Sequence, residues 1–388
     1  MAWKIHDLHD AEFGVDTRKN AGAILKGYGA TKALVVVGPN VSKLGYVEEL
    51  VGILKESGIE SVVYVKDEGE PTGDMVNKGA AIARENKIDA IVGLGGGSSM
   101  DTAKMIGKVI ANDAARAEDL LGGYTALNVG NKKFEPTLLL STTAGTGSEV
   151  SYGLMCENMD NLKKTFCLHP GTYAIIDPYY HRTQPKDITA CCGLDAMAHS
   201  LESLCNSYAM VNPLADMYCK EGIRATWDNL YKAYCEPDNL DARAGMAYAA
   251  MIGGSAITLR KTNLGHAISN QLVDYYHFSH GVAVSIGLMA QVKYNIEKDP
   301  ASSALIGPCM GIPVDENSDL KAVGQEIYER IYKLSKDMGV KNMKELGVPE
   351  EFCETIADNV SKDTKWTIVP NPPDFEYLRV ILHQIWAE

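Results

Sequence analysis

Short runs rich in β-branched residues alternate with longer amphipathic segments through the first half of the chain, and this alternation constrains the fold more than any other feature. Helix-like segments such as 75–86 lie between several of the runs. A strand, helix, strand order predicts a mostly parallel sheet covered by helices. The predicted strands are 33–37, 61–65, 88–94, 137–141 and 173–176.

The pattern changes after Asp177 and Pro178. Long helical periodicities rich in Ala, Leu and Met follow, for example at 208–227, 242–259 and 323–338, without a convincing strand. A chain of 388 residues exceeds the length of about 250 to 300 residues at which chains usually split into domains. We therefore expect an α/β domain with a Rossmann-like parallel sheet over 1–182 and an all-α domain over 183–388.

The overall charge and the cysteine content exclude several classes of protein. A net charge of −13 and a pI near 5.2 argue against nucleic acid or an anionic membrane as the partner, because either requires a basic surface. The longest uncharged stretch, 244–259, is shorter than the roughly 20 residues of a spanning helix. Nine cysteines without framework spacing favour reduced thiols, and 1–7 lacks the apolar region of a secretory signal. A cytoplasmic protein is expected.

Two glycine-rich segments follow predicted strands. Gly95, Gly96 and Gly97 lead into a plausible helix start, and their lack of Cβ atoms lets main-chain N–H groups and a helix N-terminus approach a pyrophosphate. The second segment, 141–149, combines hydroxyl groups with glycines. Glycine clusters also serve ordinary tight turns, and the first is not the usual Rossmann fingerprint. Two such loops at strand ends nevertheless favour ligand binding at the carboxyl edge of the sheet.

A set of potential metal ligands lies in the predicted helical domain. Asp195 and His199 are four residues apart in a helical pattern, so both project from one face. His266, His277 and His280 supply further imidazoles. Each histidine alone is more typical of an ordinary core or surface position. Together, imidazoles and a carboxylate indicate a site for Fe(II) or Zn(II).

These motifs together resemble the iron-containing, group III, alcohol dehydrogenase family. The resemblance extends from about Lys32 to about Asn295. It implies an NAD(P)-linked dehydrogenase that interconverts a small alcohol and its aldehyde. The residues that carry it are Gly95, Gly96, Gly97, Ser98, Asp101 and Lys104, the segment 142–149, the segment 193–195 with His199 and Glu202, the segment 264–266, and His280 with Gly281.

The resemblance also implies roles for individual residues. Asp195, His199, His266 and His280 are expected to bind the metal, Fe(II) or Zn(II). A homo-oligomer, a dimer or larger, is expected. The residues expected to line NAD(H) or NADP(H) are Gly38, Gly95, Gly96, Gly97, Ser98, Asp101, Thr142, Thr143, Thr146, Ser148 and Lys164.

Two positions depart from the family pattern. Asn270 stands where members usually have a second histidine credited with proton relay, and a neutral amide cannot act as a general acid. His277 or water is expected to take over this role. Gly38 stands where NAD-preferring members have an aspartate that binds the adenosine ribose. Without that carboxylate, both NADH and NADPH stay open as cofactors.

Arg260 and Lys261 precede the third proposed ligand and admit two interpretations. The cations can complement a helix C-terminus and reach water. Alternatively, Arg260 or Lys261 faces the substrate pocket and pairs with an anionic group such as a sulfonate, phosphonate or carboxylate, so that sulfoacetaldehyde becomes a candidate and isethionate its product. Neutral short-chain alcohols such as methanol, ethanol, 1,3-propanediol and lactaldehyde-type substrates are the alternative.

Two other classes of function compete with this one. A lyase similar to dehydroquinate synthase also combines a dinucleotide with a metal, but the set of Asp195 and three histidines argues against it. A non-catalytic assembly protein is disfavoured because a retired site has no physical need for four intact ligands.

Overall fold

A computed structural model of the protein describes residues 10–121, 130, 132–161, 163–206, 212–363, 369–371 and 374–388. For Lys163, Lys164, Phe166 and Leu168 it describes the backbone alone. The described chain forms two compact units. The α/β unit contains residues 10–143 and 147–183, and the helical unit contains residues 144–146 and 184–388.

The α/β unit is built on a six-stranded sheet in which every described pairing is parallel. Its central strands are apolar and buried along their length, because helices cover both faces of a parallel sheet. The predicted fold class is confirmed. The strands in spatial order are β1 (Asp10–Phe13), β8 (Tyr173–Ile176), β5 (Thr137–Ser141), β4 (Ala90–Gly95), β2 (Lys32–Val37) and β3 (Glu60–Val65).

The order of the strands places a topological switch point between β2 and β4. After β2 the chain moves outward to β3, then returns to add β4 on the opposite side of β2. At such a point two neighbouring loops leave the sheet in opposite directions and open a crevice at the carboxyl edge. Gly38 follows β2 and Gly96 follows β4, so both lie at this crevice. The helices of this unit are α1 (Ala21–Gly27), α2 (Tyr46–Glu56), α3 (Gly73–Glu85), α4 (Gly97–Ala111) and α5 (Pro178–His181).

An antiparallel hairpin, β6 (Gly153–Asn158) with β7 (Lys163–Leu168), lies beside the main sheet, and the sequence did not predict it. Burial alternates along its first strand, but the sequence there has three consecutive apolar residues, 154–156, and so lacks the apolar and polar alternation that predicts a strand. The short edge strand β1 was also missed, because its residues are mostly exposed and form no apolar run.

The helical unit surrounds a central helix, α6 (Lys186–Leu204). Every residue from Gly193 to Leu204 is buried, because neighbouring helices pack around it. No strand occurs among the described residues of this unit. The other helices are α7 (Pro213–Cys235), α8 (Leu240–Arg260), α9 (Leu264–Tyr276), α10 (His280–Lys298), α11 (Ser303–Ile306), α12 (Leu320–Asp337), α13 (Phe352–Ser361) and α14 (Phe375–Trp386).

Within the described residues, none of these helices combines the length and the apolar character needed to cross a lipid bilayer.

Candidate metal and dinucleotide sites

Two side chains project from one face of α6 into the helical unit. Asp195 and His199 lie one turn apart, and Nε2 of His199 is 3.4 Å from Oδ1 of Asp195. Both side chains are almost completely buried. A buried carboxylate with no cation beside it is costly, so this arrangement already indicates a positive partner.

Two further histidines reach the same carboxylate oxygen from α9 and α10. His266 lies in the first turn of α9, and His280 is the first residue of α10. The Nε2 atom of each ring is 3.6 Å from Oδ1 of Asp195. One ligand atom from each of the four residues lies within 4.8 Å of the other three. The structure thus brings together the four residues predicted as ligands.

The donor set fits a divalent cation. Distances of 3.4 to 3.6 Å are too long for good hydrogen bonds but suit atoms that share one ion. Oδ1 of Asp195 and Nε2 of His266 are buried and have no hydrogen-bond partner in the described chain. Three imidazole nitrogens and one carboxylate oxygen suit Fe(II) or Zn(II). Asp195, His199, His266 and His280 are therefore the residues that would hold the ion.

The electrostatics of the cluster agree with cation binding. Burial lowers the pKa of His199 to about 4, which keeps the ring neutral and able to donate a lone pair. Burial would raise the pKa of Asp195, but the neighbouring His199 and His280 rings hold it well below its usual range. Burial likewise opposes a charge on His266, yet the adjoining carboxylates of Glu202 and Asp195 raise its pKa. The site therefore favours one positive charge among its rings, which a metal ion supplies.

One side of the ligand set is open. The His280 side chain keeps 31% of its surface exposed, whereas Asp195 keeps 1%. A small molecule can therefore approach the cluster from the His280 side, while the remaining ligands are enclosed by helices.

His277 lies just before His280 but is not one of the ligands. It ends α9 in the left-handed region, with φ of 54°, and its side chain is exposed. Asn270 lies one turn after His266 on α9 and is half-buried, so it shares the face that carries the ligand. Proton relay by His277 stays a prediction.

Arg260 occupies a position that differs from the anion-binding hypothesis. It is the last residue of α8, and its buried guanidinium lies 2.7 Å from Asp216 and donates to the carbonyl oxygen of Asn212 at 3.1 Å. The charge is already compensated by a carboxylate on α7. The hypothesis that Arg260 binds an anionic substrate therefore receives no support from its contacts.

The first glycine-rich loop joins β4 to α4 in the α/β unit. Gly95 has φ of 148°, and a Cβ atom there would lie 2.6 Å from Oγ of Ser99. Gly96 is the N-cap of α4, a helix of 15 residues whose first N–H groups point toward the carboxyl edge of the sheet. Ser98 donates a hydrogen bond to the carbonyl of Gly69, which joins this loop to the one after β3.

The second loop lies against the first. The main-chain N–H of Thr142 donates to the carbonyl of Gly95, and a Cβ atom on Gly96 would lie 3.0 Å from Oγ1 of Thr143. Gly38, at the end of β2, faces Ser99, whose hydroxyl would be 3.4 Å from a Cβ atom at position 38. Residues from three strand ends thus meet at the switch point, as a dinucleotide site requires.

Asp101 and Ser148 are hydrogen-bonded to each other within the α/β unit. Oγ of Ser148 donates to one oxygen of Asp101, and the main-chain N–H of Met155 donates to the other. Thr146 belongs to the short segment grouped with the helical unit. Lys164 lies on β7, and its side chain is outside the described part of the chain.

Two residues that shape these sites have no role predicted from the sequence. Glu202 lies seven residues after Asp195 on α6 and contacts His266, with Oε1 2.8 Å from Nδ1. The sequence feature that could have identified Glu202 is an acidic residue on the ligand-bearing face of α6, with no lysine nearby to pair with it. Lys104 is fully buried in α4 and donates to the carbonyls of Ser148 and Gly153, which supports the second loop.

Comparisons with known proteins agree with this geometry. Residues 9–178 match the family described as iron-containing alcohol dehydrogenase, and residues 189–386 match the C-terminal part of the same family. The choline dehydrogenase of Bacillus subtilis is 30% identical over 90% of this chain and 87% of its own length. The NAD-dependent methanol dehydrogenase of Bacillus methanolicus is 31% identical over 89% of this chain and 90% of its own. A solved 1,3-propanediol oxidoreductase is 28% identical, with a TM-score of 0.91 over 98% of this chain and 100% of that one.

Proposed function

Since the chain belongs to the iron-containing alcohol dehydrogenase family and is an alcohol oxidoreductase, we propose that it interconverts a small primary alcohol and its aldehyde, using NAD and a resident Fe(II). We further propose that the substrate carries no negative charge. The observation that carries the proposal is the convergence of Asp195, His199, His266 and His280 around one position with an open side.

The bound groups would carry out the chemical step, and the protein positions them and excludes water. When bound, the divalent cation supplies Lewis-acid polarisation of the substrate oxygen, and the nicotinamide supplies or accepts the hydride. The ligands from three helices fix the position of the ion, and the exposed edge beside His280 admits the substrate oxygen. Buried apolar side chains around α6 exclude water from the enclosed side, which strengthens the electrostatic interactions there.

The loops at the switch point support dinucleotide binding. Gly95, Gly96 and the N-terminus of α4 offer main-chain N–H groups to a pyrophosphate without steric hindrance. Lys104 supports the second loop by a hydrogen bond to the carbonyl oxygen of Ser148, and it also donates to the carbonyl oxygen of Gly153 at the start of β6. We propose that these residues bind the diphosphate, with Thr142 and Thr143 beside it.

We propose a preference for NAD over NADP, and the charge at the edge of the sheet supports it. Gly38 lacks the carboxylate that binds a ribose, but Glu68, after the neighbouring strand β3, lies 3.5 Å from Asn40 just beyond Gly38. A carboxylate there accepts hydrogen bonds from ribose hydroxyls and repels a 2′-phosphate. Its charge supports NAD, the cofactor named for the methanol dehydrogenase relative.

The nature of the substrate is supported by two independent facts. Arg260, one of the two candidate anion ligands, is already paired with Asp216. Three of the similar proteins are named for choline, methanol and 1,3-propanediol, which bear a CH₂OH group and no negative charge.

The test is a panel of alcohols with the purified, iron-loaded enzyme. Nicotinamide reduction is followed with ethanol, 1,3-propanediol, choline and isethionate, each with NAD and with NADP. We expect higher kcat/KM for the first three than for isethionate, and higher kcat/KM with NAD. A preference for isethionate would reject the charge assignment, and the absence of turnover on every alcohol would reject the dehydrogenase assignment. Zinc-loaded enzyme serves as the comparison for metal identity.

Cytoplasmic location and homo-oligomerisation stay proposals. Cell fractionation and light scattering of the purified protein test them.

A further inference from the structure

The Glu202 carboxylate is completely buried in α6 and interacts with residues at the start of α9. Its Oε1 atom lies 2.8 Å from Nδ1 of His266. Its Oε2 atom accepts the main-chain N–H of Asn263 at 2.6 Å and that of His266 at 3.2 Å. One carboxylate therefore binds both the ring and the backbone of a proposed metal ligand.

Glu202 supplies hydrogen-bond acceptors for main-chain N–H groups at the N-terminus of α9. The first N–H groups of a helix have no partner within the helix. Here Asn263 and His266 donate to Glu202, Leu264 donates to the Asn263 side chain, and Gly265 donates to Oε1 of Gln291. Since all four donors have partners and a helix N-terminus favours negative charge, the position suits an ionised carboxylate.

The glycine of the 264–266 segment is explained by the same carboxylate. A Cβ atom on Gly265 would lie 2.5 Å from Oε1 of Glu202 and 3.0 Å from the carbonyl oxygen of Gly287. Any larger residue at 265 would displace Glu202 or separate α9 from α10. The local sequence therefore keeps space for the carboxylate next to His266.

We propose that Glu202 is a positioning residue that keeps the His266 proton on Nδ1 and so leaves the Nε2 lone pair available to the divalent cation. This inference rests on the metal site of the proposed function. Main-chain N–H groups only donate, so Oε2 must accept, and the ionised Oε1 then also accepts, which requires a proton on Nδ1. Nε2 is the ring atom that faces Asp195, at 3.6 Å.

The Glu202→Gln variant distinguishes this role from simple packing. A glutamine has nearly the same shape but only one oxygen. If that oxygen accepts from the two main-chain N–H groups, the NH₂ group faces Nδ1 of His266 and donates to it. The ring proton then moves to Nε2 and blocks the ligand atom. Outer partners of this kind typically contribute 10- to 100-fold in metal affinity.

Ser203→Ala is the matched control. Ser203 is the next residue of α6, is equally buried, and donates one hydrogen bond to the carbonyl of Lys261 rather than to a ligand. Zn²⁺ affinity of the metal-free proteins is measured by competition with a chromogenic chelator, and unfolding of the metal-free proteins is followed by circular dichroism.

We expect about 10- to 100-fold weaker Zn²⁺ binding for Glu202→Gln, and binding within about twofold of the unsubstituted protein for Ser203→Ala. Equal affinity of Glu202→Gln and the unsubstituted protein would overturn the role of Glu202 while leaving the metal site intact. Failure of the unsubstituted protein to bind Zn²⁺ would instead overturn the proposed function and this inference with it.

A second measurement does not depend on folding of the variant. Histidine labelled with ¹⁵N in the Zn²⁺-loaded, unsubstituted protein reports the protonated nitrogen of each ring. We expect the His266 ring to carry its proton on Nδ1, and a proton on Nε2 would contradict the proposal.

Discussion

Nε2 of His280 lies 3.6 Å from Oδ1 of Asp195, although the two residues belong to different helices of the unit. The same oxygen is shared with His199 and His266, so Asp195 is the common centre of the cluster. Removing its charge should therefore affect the cluster as a whole.

For Asp195→Asn we expect loss of bound metal and a fall in kcat of more than about 100-fold, since a direct ligand should contribute at least as much as an outer partner. Metal content is measured by mass spectrometry of the purified variant, alongside steady-state kinetics.

The metal should also raise the melting temperature of the unsubstituted protein, because a metal concentration of 100 times Kd stabilises the fold by about 2.7 kcal/mol. A variant that retains a full equivalent of metal would contradict the assignment.

Substitution of Gly95 by alanine should weaken dinucleotide binding and destabilise the α/β unit. The positive φ of 148° is essentially restricted to glycine, and the new Cβ would meet Ser99 at 2.6 Å. We expect a cost of about 1 to 3 kcal/mol in the free energy of unfolding and a higher KM for NAD. Gly52→Ala on α2 is the control, because a Cβ there meets nothing within 4 Å and should stabilise the helix by about 0.5 to 1 kcal/mol. Equal KM values for the two variants would argue against the loop as the binding site.

Lys104→Met should be strongly destabilising. The buried ammonium group donates to the carbonyls of Ser148 and Gly153 and pairs with Asp101 at 3.2 Å. Burial lowers the pKa of Lys104, while Asp101 opposes the change. Methionine leaves these partners unsatisfied, and breaking a buried pair typically costs about 3 to 5 kcal/mol in urea unfolding. Lys78→Met, which removes an exposed pair with Asp67, should cost far less, because solvent and salt screen an exposed ion pair. Similar losses for both variants would contradict this account.

The C-terminal helices should show a pH dependence centred on His383. Its ring on α14 lies 3.0 Å from Glu350 and 3.1 Å from Glu354, and these hydrogen bonds raise its pKa above the usual 6.5. Because the pKa of His383 is higher in the folded state than in the unfolded state, protonation of His383 stabilises the fold. This stabilisation is complete below pH 6.5 and is lost as the pH rises through the pKa of the folded state.

We therefore expect the difference in melting temperature between the unsubstituted protein and His383→Gln to be largest near pH 6 and to shrink toward alkaline pH. The difference should be small, because the pair is partly exposed and screened by salt. A difference that grows with pH would reverse the assigned sign.

Local periodicity was sufficient to predict the features that depend on neighbours in the sequence. The strands around 33–37 and 173–176 are found within a few residues of their predicted ends, because an apolar run between turn residues becomes a buried parallel strand. The common face of Asp195 and His199 follows from the helical repeat alone. The hairpin β6–β7 was missed because the sequence of β6 does not alternate apolar and polar residues.

Tertiary structure alone decided which distant residues meet. The sequence indicated His266 and His280 as ligand candidates, but only the packing of α9 and α10 against α6 brings their ring atoms to Asp195. The contact between Arg260 and Asp216 joins α8 to α7 and could not be predicted from either segment alone. The proposed positioning role of Glu202 depends on its contacts with the start of α9. Helix and strand periods are set by the backbone within a few residues, whereas contacts between helices depend on how side chains from separated segments fill a common core.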